Sequence, residues 1–240
     1  TPLKDRIDSQ IITHYPKSIE IGKRITHQEA RIKDEQKELV QVNELTKDLI
    51  EQIAFEARES EYIDEKSGVS ARLTISAYEN LVSAAERRAI INNEKHTHVR
   101  LSDFWGLIPS ITGKVELVYE GEQEGASIVA QNLIGQAIRT QFLHYFPNPE
   151  HEKKKKDKNI YKQIVDWFGE GETIDIFNDS SNQEYKNALY SVPGLKEMVK
   201  KKHKDKTETE QVFLMEFALH GLAEYSMLNK NILERGIEFR

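Results

Sequence analysis

The chain has 240 residues, 38% of them hydrophobic and 31% charged, with no cysteine and a formal net charge of −6. That length and apolar content can bury a core, so the composition describes one large or two small globular domains and excludes a disordered chain. Without cysteine there is no disulfide or thiolate chemistry, and the expected setting is a reducing, cytoplasmic one. A negative chain repels a phosphate backbone, so nucleic acid is not expected as a partner outside a local basic patch. No apolar run approaches the roughly 18 residues of a spanning helix and no signal peptide opens the sequence, so no membrane partner is expected. The sequence starts abruptly at Thr1-Pro2 and stops at Glu238-Phe-Arg240, which reads as a piece of something longer.

In chain order, Ile11-Ile-Thr-His-Tyr15 is β-branched and aromatic and ends at Pro16, which suits a strand end or a turn. Thr26 precedes Glu29 with N-cap spacing. Ile32, Leu39, Val42, Leu45, Leu49 and Ile53 then recur at helical intervals, predicting one long amphipathic helix, or two abutting ones, over roughly 27–60. Glu61 to Gly68 breaks it. Ser70 is positioned to cap a further helix carrying Leu73, Tyr78, Leu81, Val82, Ala85 and Ala89 and ending near Asn92-Asn93. A short extended piece follows from His96 to Leu101, then a helix capped by Ser102 that reaches Pro109 or a little beyond.

The composition shifts at Glu120-Gly-Glu-Gln-Glu-Gly125, which marks the candidate domain boundary. Beyond it, Ile128 to Tyr145 reads as a strong helix that stops before Pro147-Asn-Pro149, and Glu150 to Asn159 as a solvated charged loop. Shorter helices are predicted over 160–168, 183–190 and 194–203. Thr207-Glu-Thr-Glu210 forms a capping box before a last helix from Val212 to Leu228. The fold class read from these periods is mainly α, with its few strands in the first half.

Two short stretches point to chemistry. Pro2-Leu-Lys-Asp-Arg6 resembles the stretch that closes the ATPase core in the magnesium chelatase I-subunit and MoxR branch of the AAA+ family, whose arginine reaches a neighbouring subunit's nucleotide. A guanidinium suits that role because it stays charged and can clamp phosphate oxygens with a rigid fork. Gly68-Val-Ser-Ala-Arg72-Leu, at a predicted helix start, resembles the sensor-2 stretch of that family's lid, where an arginine and a helix N-terminus together favour a phosphate. Ala84-Ala-Glu-Arg-Arg88 through Val99-Arg-Leu-Ser-Asp-Phe104 is similar to the remainder of such a lid.

The resemblance covers about residues 1–115 and implies the end of a AAA+ core at 1–26, a long helical connection at 27–66, a lid at 67–118 and an accessory helical domain at 119–240. It implies Arg6 as the catalytic arginine finger and Arg72 as a nucleotide-binding residue. ATP and Mg2+ would be cofactors of the intact protein, assembled as a homo-oligomeric ring, expected as a hexamer, that acts on a client protein or partner subunit. G-x-x-x-x-G-K-S/T fails at every glycine, and without that loop this chain alone is not expected to bind cofactor or hydrolyse ATP. The alternative is a free-standing helical protein-interaction module whose two arginines are surface ion-pair residues.

Other patterns carry less. His96-x-His98 lacks a third ligand at sensible spacing, so no metal is expected. The runs Lys153–Lys156 and Lys200–His203 are flanked by acids and read as solvated faces. Asp175, Asp179 and Glu184 lack the glycine and spacing of a calcium loop. Trp105 and Trp167 read as core, and no Ser/His/Asp arrangement sits in a recognisable local motif.

Overall fold

In a computed structural model, which describes Ser9, 11–155 and 158–240, the chain is mainly helical with two small sheets. The first half runs α1 (Ile19–Glu29), α2 (Asp34–Leu39), β1 (Val40–Gln41), α3 (Glu44–Glu59), α4 (Arg72–Ile91), β2 (Thr97–His98), a 3₁₀ helix (Leu101–Leu107) and α5 (Ile108–Thr112). The second half runs α6 (Tyr119–Glu124), α7 (Ala126–Tyr145), α8 (Pro149–Lys153), α9 (Lys162–Gly169), β3 (Ile174–Phe177), α10 (Asn182–Tyr190), α11 (Leu195–Lys202), α12 (Glu208–Glu224), β4 (Lys230–Leu233) and β5 (Gly236–Phe239).

The helix expected over 27–60 is three helices. Ser18, not Thr26, caps α1, its hydroxyl accepting from the Ile21 N–H at 3.4 Å. Asn43 starts α3 afresh by accepting from the Thr46 N–H at 2.8 Å. Between them, Val40 and Gln41 pair in parallel with Thr97 and His98. The helical spacing of Ile32, Leu39 and Val42 therefore concealed a break at a β-branched segment, where burial beside β2 outweighs local helical preference.

The expectation that strands lie only in the first half is corrected by the antiparallel sheet β3-β5-β4. Ile176 pairs with Ile237, which pairs with Ile232. Ile174 and Ile176 are buried while Asp175 and Phe177 are exposed, the alternation of a half-buried strand. The periods over Ile128–Tyr145, 160–168, 183–190 and 194–203 correspond to α7, α9, α10 and α11. The Thr207/Glu210 capping box opens α12, with the Glu210 carboxylate accepting from the Thr207 N–H at 2.9 Å. That helix stops at Glu224 rather than Leu228, because Ser226 turns left-handed at φ 56°.

One apolar core runs through the chain and across residue 119. α7 packs against α3 on one side and α12 on the other. Leu49 and Ile53 of α3, Leu133 and Ala137 of α7, and Phe213 and Phe217 of α12 are all buried. Phe142 is the centre of an aromatic cluster, with ring centroids 5.2 Å from Phe146, 5.9 Å from Phe217 and 5.7 Å from Tyr225. Burying each of these leucine, isoleucine and phenylalanine side chains contributes about 1.5–3 kcal/mol. Among the described residues, no helix is long and apolar enough to cross a membrane.

α12 approaches α7 closely at Gly221, where an added Cβ would overlap the Phe142 ring. Alanine favours a helix interior over glycine by about 0.8–1 kcal/mol, whereas overpacking a fixed core costs about 1–3 kcal/mol. Gly221→Ala is therefore expected to lower the unfolding free energy by a net ~0–2 kcal/mol, read as a lower urea midpoint at unchanged m value, and a raised midpoint would show that the ring yields.

Candidate functional site

Arg72 is the first residue of α4. The Ser70 hydroxyl accepts its backbone N–H at 3.1 Å, so Ser70 serves this helix start although Ala71 holds the cap position. No acidic residue occupies the first turn of α4. The Arg72 side chain is exposed and makes no hydrogen bond or ion pair with another described residue. A long helix thus presents its positive end together with an unengaged guanidinium, an arrangement suited to an anion.

The loop before Arg72 is pinned on two sides. Ile63 bridges Leu117, the Asp64 N–H donates to the Glu116 carbonyl at 2.8 Å, and the Val118 N–H donates to the Tyr62 carbonyl at 3.1 Å. From the other side, the Tyr15 hydroxyl accepts the Val69 N–H at 2.9 Å while the Arg58 guanidinium lies 4.5 Å from its ring centre. Gly68, at φ 68°, lets the hydroxyl approach, since a Cβ there would meet it. Pro2 to Arg6 lie outside the described residues, so the arginine-finger expectation for Arg6 has no structural counterpart here.

Residues of α1, α3 and α4 line a cleft of about 440 Å³, among them Lys23, Arg24, His27, Lys47, Glu51 and Tyr78. Thr26 donates to Glu51 Oε1 at 2.5 Å and lies 2.8 Å from the Thr74 hydroxyl. Thr26 is therefore a buried link between three helices rather than a cap. Burial pushes the Glu51 carboxyl above its ordinary range, opposed by the hydrogen bonds of Thr26 and Thr74. Arg72 precedes Thr74 by two residues, more than half a helical turn, and does not line this cleft.

At its other end α4 enters a buried polar cluster. Arg88 makes a two-pronged contact with Asp103, Nε to Oδ1 at 3.1 Å and Nη2 to Oδ2 at 2.9 Å, and also donates to Thr97 Oγ1 at 2.8 Å. Arg100, fully buried, donates to the Ser180 carbonyl at 2.8 Å and to Asn182 Oδ1 at 2.7 Å, and lies 4.3 Å from the Tyr185 ring centre. Glu216 of α12 accepts from the backbone N–H groups of Leu101 and Ser102 at 2.7 and 2.9 Å and from the Tyr185 hydroxyl at 2.7 Å. Ser102 is consequently not the helix cap the sequence suggested. Its N–H at the start of the 3₁₀ helix is satisfied by a carboxylate from 114 residues away.

Burial pushes the Glu216 carboxyl up to about 7 against the pull of its Tyr185 and backbone donors. His98 is pushed down to about 3 by burial and by the Arg100 and Arg88 charges, so its imidazole is neutral. Its Nε2 is buried without a partner among the described residues, beside a second cavity of about 270 Å³ lined by His96, Thr97, Asn182, Tyr185 and Lys186. Among the described residues, no group of three or more His, Asp or Glu side chains is placed to hold a metal ion.

Arg88, Arg100, Asp103 and Glu216 were not singled out as a cluster by sequence reasoning. Two signals were present. Arg88 follows Leu81 and Ala85 on the apolar stripe of α4, and Glu216 is an isolated acid in a helix buried on all sides from Val212 to Leu222. No known family matches this chain, no curated protein is similar to it, and no solved structure resembles it detectably.

The neutral His98 has a consequence for pH dependence. Its folded pKa of about 3 lies below the ordinary 6.5, so between those values the unfolded chain takes up a proton that the folded chain does not. Its stabilisation is full above the ordinary value and is lost as pH falls toward the folded one. His98→Phe is expected to gain stability relative to the unsubstituted chain between about pH 7 and about pH 5 in urea unfolding. A stability difference independent of pH would mean that His98 titrates normally.

Proposed function

We propose that this chain is the C-terminal region of a AAA+ ATPase of the magnesium chelatase I-subunit and MoxR type, supplying an arginine finger and a lid for ATP-driven remodelling of a partner protein in a ring. The observation that supports this reading is Arg72, exposed and unengaged among the described residues at the acid-free first turn of α4. Its donor set fits one phosphate group: a guanidinium with a rigid fork, reinforced by helix amides worth about 0.3–1 kcal/mol toward an anion. The contacts of Tyr15, Ile63, Asp64 and Val118 hold the loop that delivers it.

In this reading residues 1–26 end the core, 27–66 connect it to a lid at 67–118, and 119–240 contribute the contact to a client. Arg6 completes the nucleotide site of a neighbouring subunit, and Arg72 responds to the phosphates. ATP with Mg2+ supplies the phosphoryl group whose transfer drives the cycle. This chain's share of the chemistry is to place positive charge where negative charge develops, so that a change at Arg72 is carried along α4.

The test uses the protein together with a nucleotide-binding core. Arg6→Ala is expected to lower ATP turnover by roughly 10³-fold or more while nucleotide binding largely survives, the behaviour of a charge needed in the transition state. Arg72→Ala is expected to weaken coupling between nucleotide binding and hydrolysis. Turnover near that of the unsubstituted protein for Arg6→Ala would remove the finger, and unchanged affinity and rate for Arg72→Ala would remove it from the site.

A further inference from the structure

Among the described residues, the sheet β3-β5-β4 leaves one edge open. The N–H of Asn229 donates to the Arg240 carbonyl at 2.8 Å and the Arg240 N–H returns the bond at 3.0 Å. Antiparallel alternation then directs the backbone groups of Asn231 and Leu233 toward β5 and turns those of Lys230 and Ile232 away from the sheet. The opposite edge is engaged: β3 packs against α10, and the Phe177 carbonyl accepts the Ser180 N–H at 3.2 Å. β4 carries no proline, and its one charged residue, Lys230, pairs with Glu224 at 2.6 Å instead of guarding the strand. Ile232 and Leu233 are 46% and 38% exposed.

The surface beside this edge has a defined chemistry. Phe177 and Leu233 stand on either side of Gly236 in register, and Phe177 is 47% exposed. One step along the same face, Asp175 and Glu238 are paired across the sheet, and the Glu238 carboxylate accepts from Asn231 at 2.6 Å. At the hairpin turn the exposed Glu234 and Arg235 carry opposite charges, so the acids of this face are Asp175 and Glu238. A strand laid beside β4 would meet Ile232 on one face, and on the other Leu233 together with an acid within reach of a long side chain.

We propose that the β4 edge takes up an extended segment of a partner protein as a fourth strand, with apolar residues at alternate positions and lysine or arginine between them. The open Lys230 and Ile232 backbone groups supply main-chain hydrogen bonds. Ile232 receives the apolar residues on one face, and on the other Glu238 selects the cations, whose stems lie over Leu233. This surface is independent of the nucleotide reading, because it needs neither Arg6 nor Arg72.

The test uses the full chain without nucleotide and, as probes, peptides of about ten residues, alternating valine with lysine or valine with glutamate. The valine–lysine peptide is expected to bind at least ~10-fold more tightly, and to slow hydrogen exchange at the Ile232 amide. Ile232→Pro removes only an outward N–H, a position where a sheet tolerates proline, and is expected to abolish binding. Glu238→Gln is expected to narrow the preference for lysine. Unchanged exchange at Ile232 in the presence of the peptide, or equal binding by a folded Ile232→Pro variant, would overturn the proposal. Concentration-dependent dimerisation of the chain through the same edge would replace the partner with a second copy.

Discussion

The rest of the structure depends on the buried cluster of Arg88, Arg100, Asp103 and Glu216. Arg88 and Asp103 are 1% and 3% exposed at their side chains, and Glu216 is wholly buried. Desolvating such groups costs several kcal/mol per ion, which Coulomb attraction offsets only when every donor and acceptor is used. That condition is nearly met here. Glu216 takes three donors, Asp103 takes the Arg88 fork and the Arg100 N–H, and both arginines are bonded to carbonyl or amide oxygens from other segments. A buried network of this kind adds little net stability over an apolar core, and one arrangement alone satisfies it. It therefore fixes how α4, the 3₁₀ helix, α10 and α12 meet.

That constraint explains how a chain with a composition break near residue 120 carries a continuous core. α7 supplies the apolar contact between α3 and α12, which is strong but tolerant of small slips. The polar cluster supplies contacts that do not tolerate slips, because moving α12 by one residue would take Glu216 from the Leu101 and Ser102 amides and leave three groups unpaired. Packing provides the magnitude, and the cluster provides the register.

Much of the helical layout was legible in the sequence because it rests on local signals. The Thr207/Glu210 box, the stop before Pro147 and the stripe from Leu73 to Ala89 each act within a few residues. What escaped was set by distant partners. Thr26 has the spacing of a cap but bonds Glu51 and lies against Thr74, and Ser102 looks like a cap but uses Glu216. Val40-Gln41 sits inside a helical period, and only β2 makes it a strand. β3 through β5 are four residues each, too short for their alternation to stand out among Asp, Asn and Gly. Of the candidate site, Arg72 at a helix start was legible, because it needed only a glycine, a serine and the onset of a periodic stripe. The cluster was not, since sequence shows that a charge is buried and does not name its partner.

The two ends of α4 differ in a way that bears on function. At the first turn the Arg72 side chain is exposed, its backbone N–H donates to the Ser70 hydroxyl, and the preceding Val69 N–H donates to the Tyr15 hydroxyl. At the last turns, Arg88 is locked by four hydrogen bonds to Thr97, His98 and Asp103. A helix of 20 residues is about 30 Å long and stiff against bending, so displacement at one end reaches the other as rotation or translation rather than being absorbed. The far end is joined through Asp103, Arg100 and Glu216 to α12, whose C-terminal side leads into β4 and β5. α4 thus carries an exposed guanidinium at one end and a buried, fully bonded one at the other.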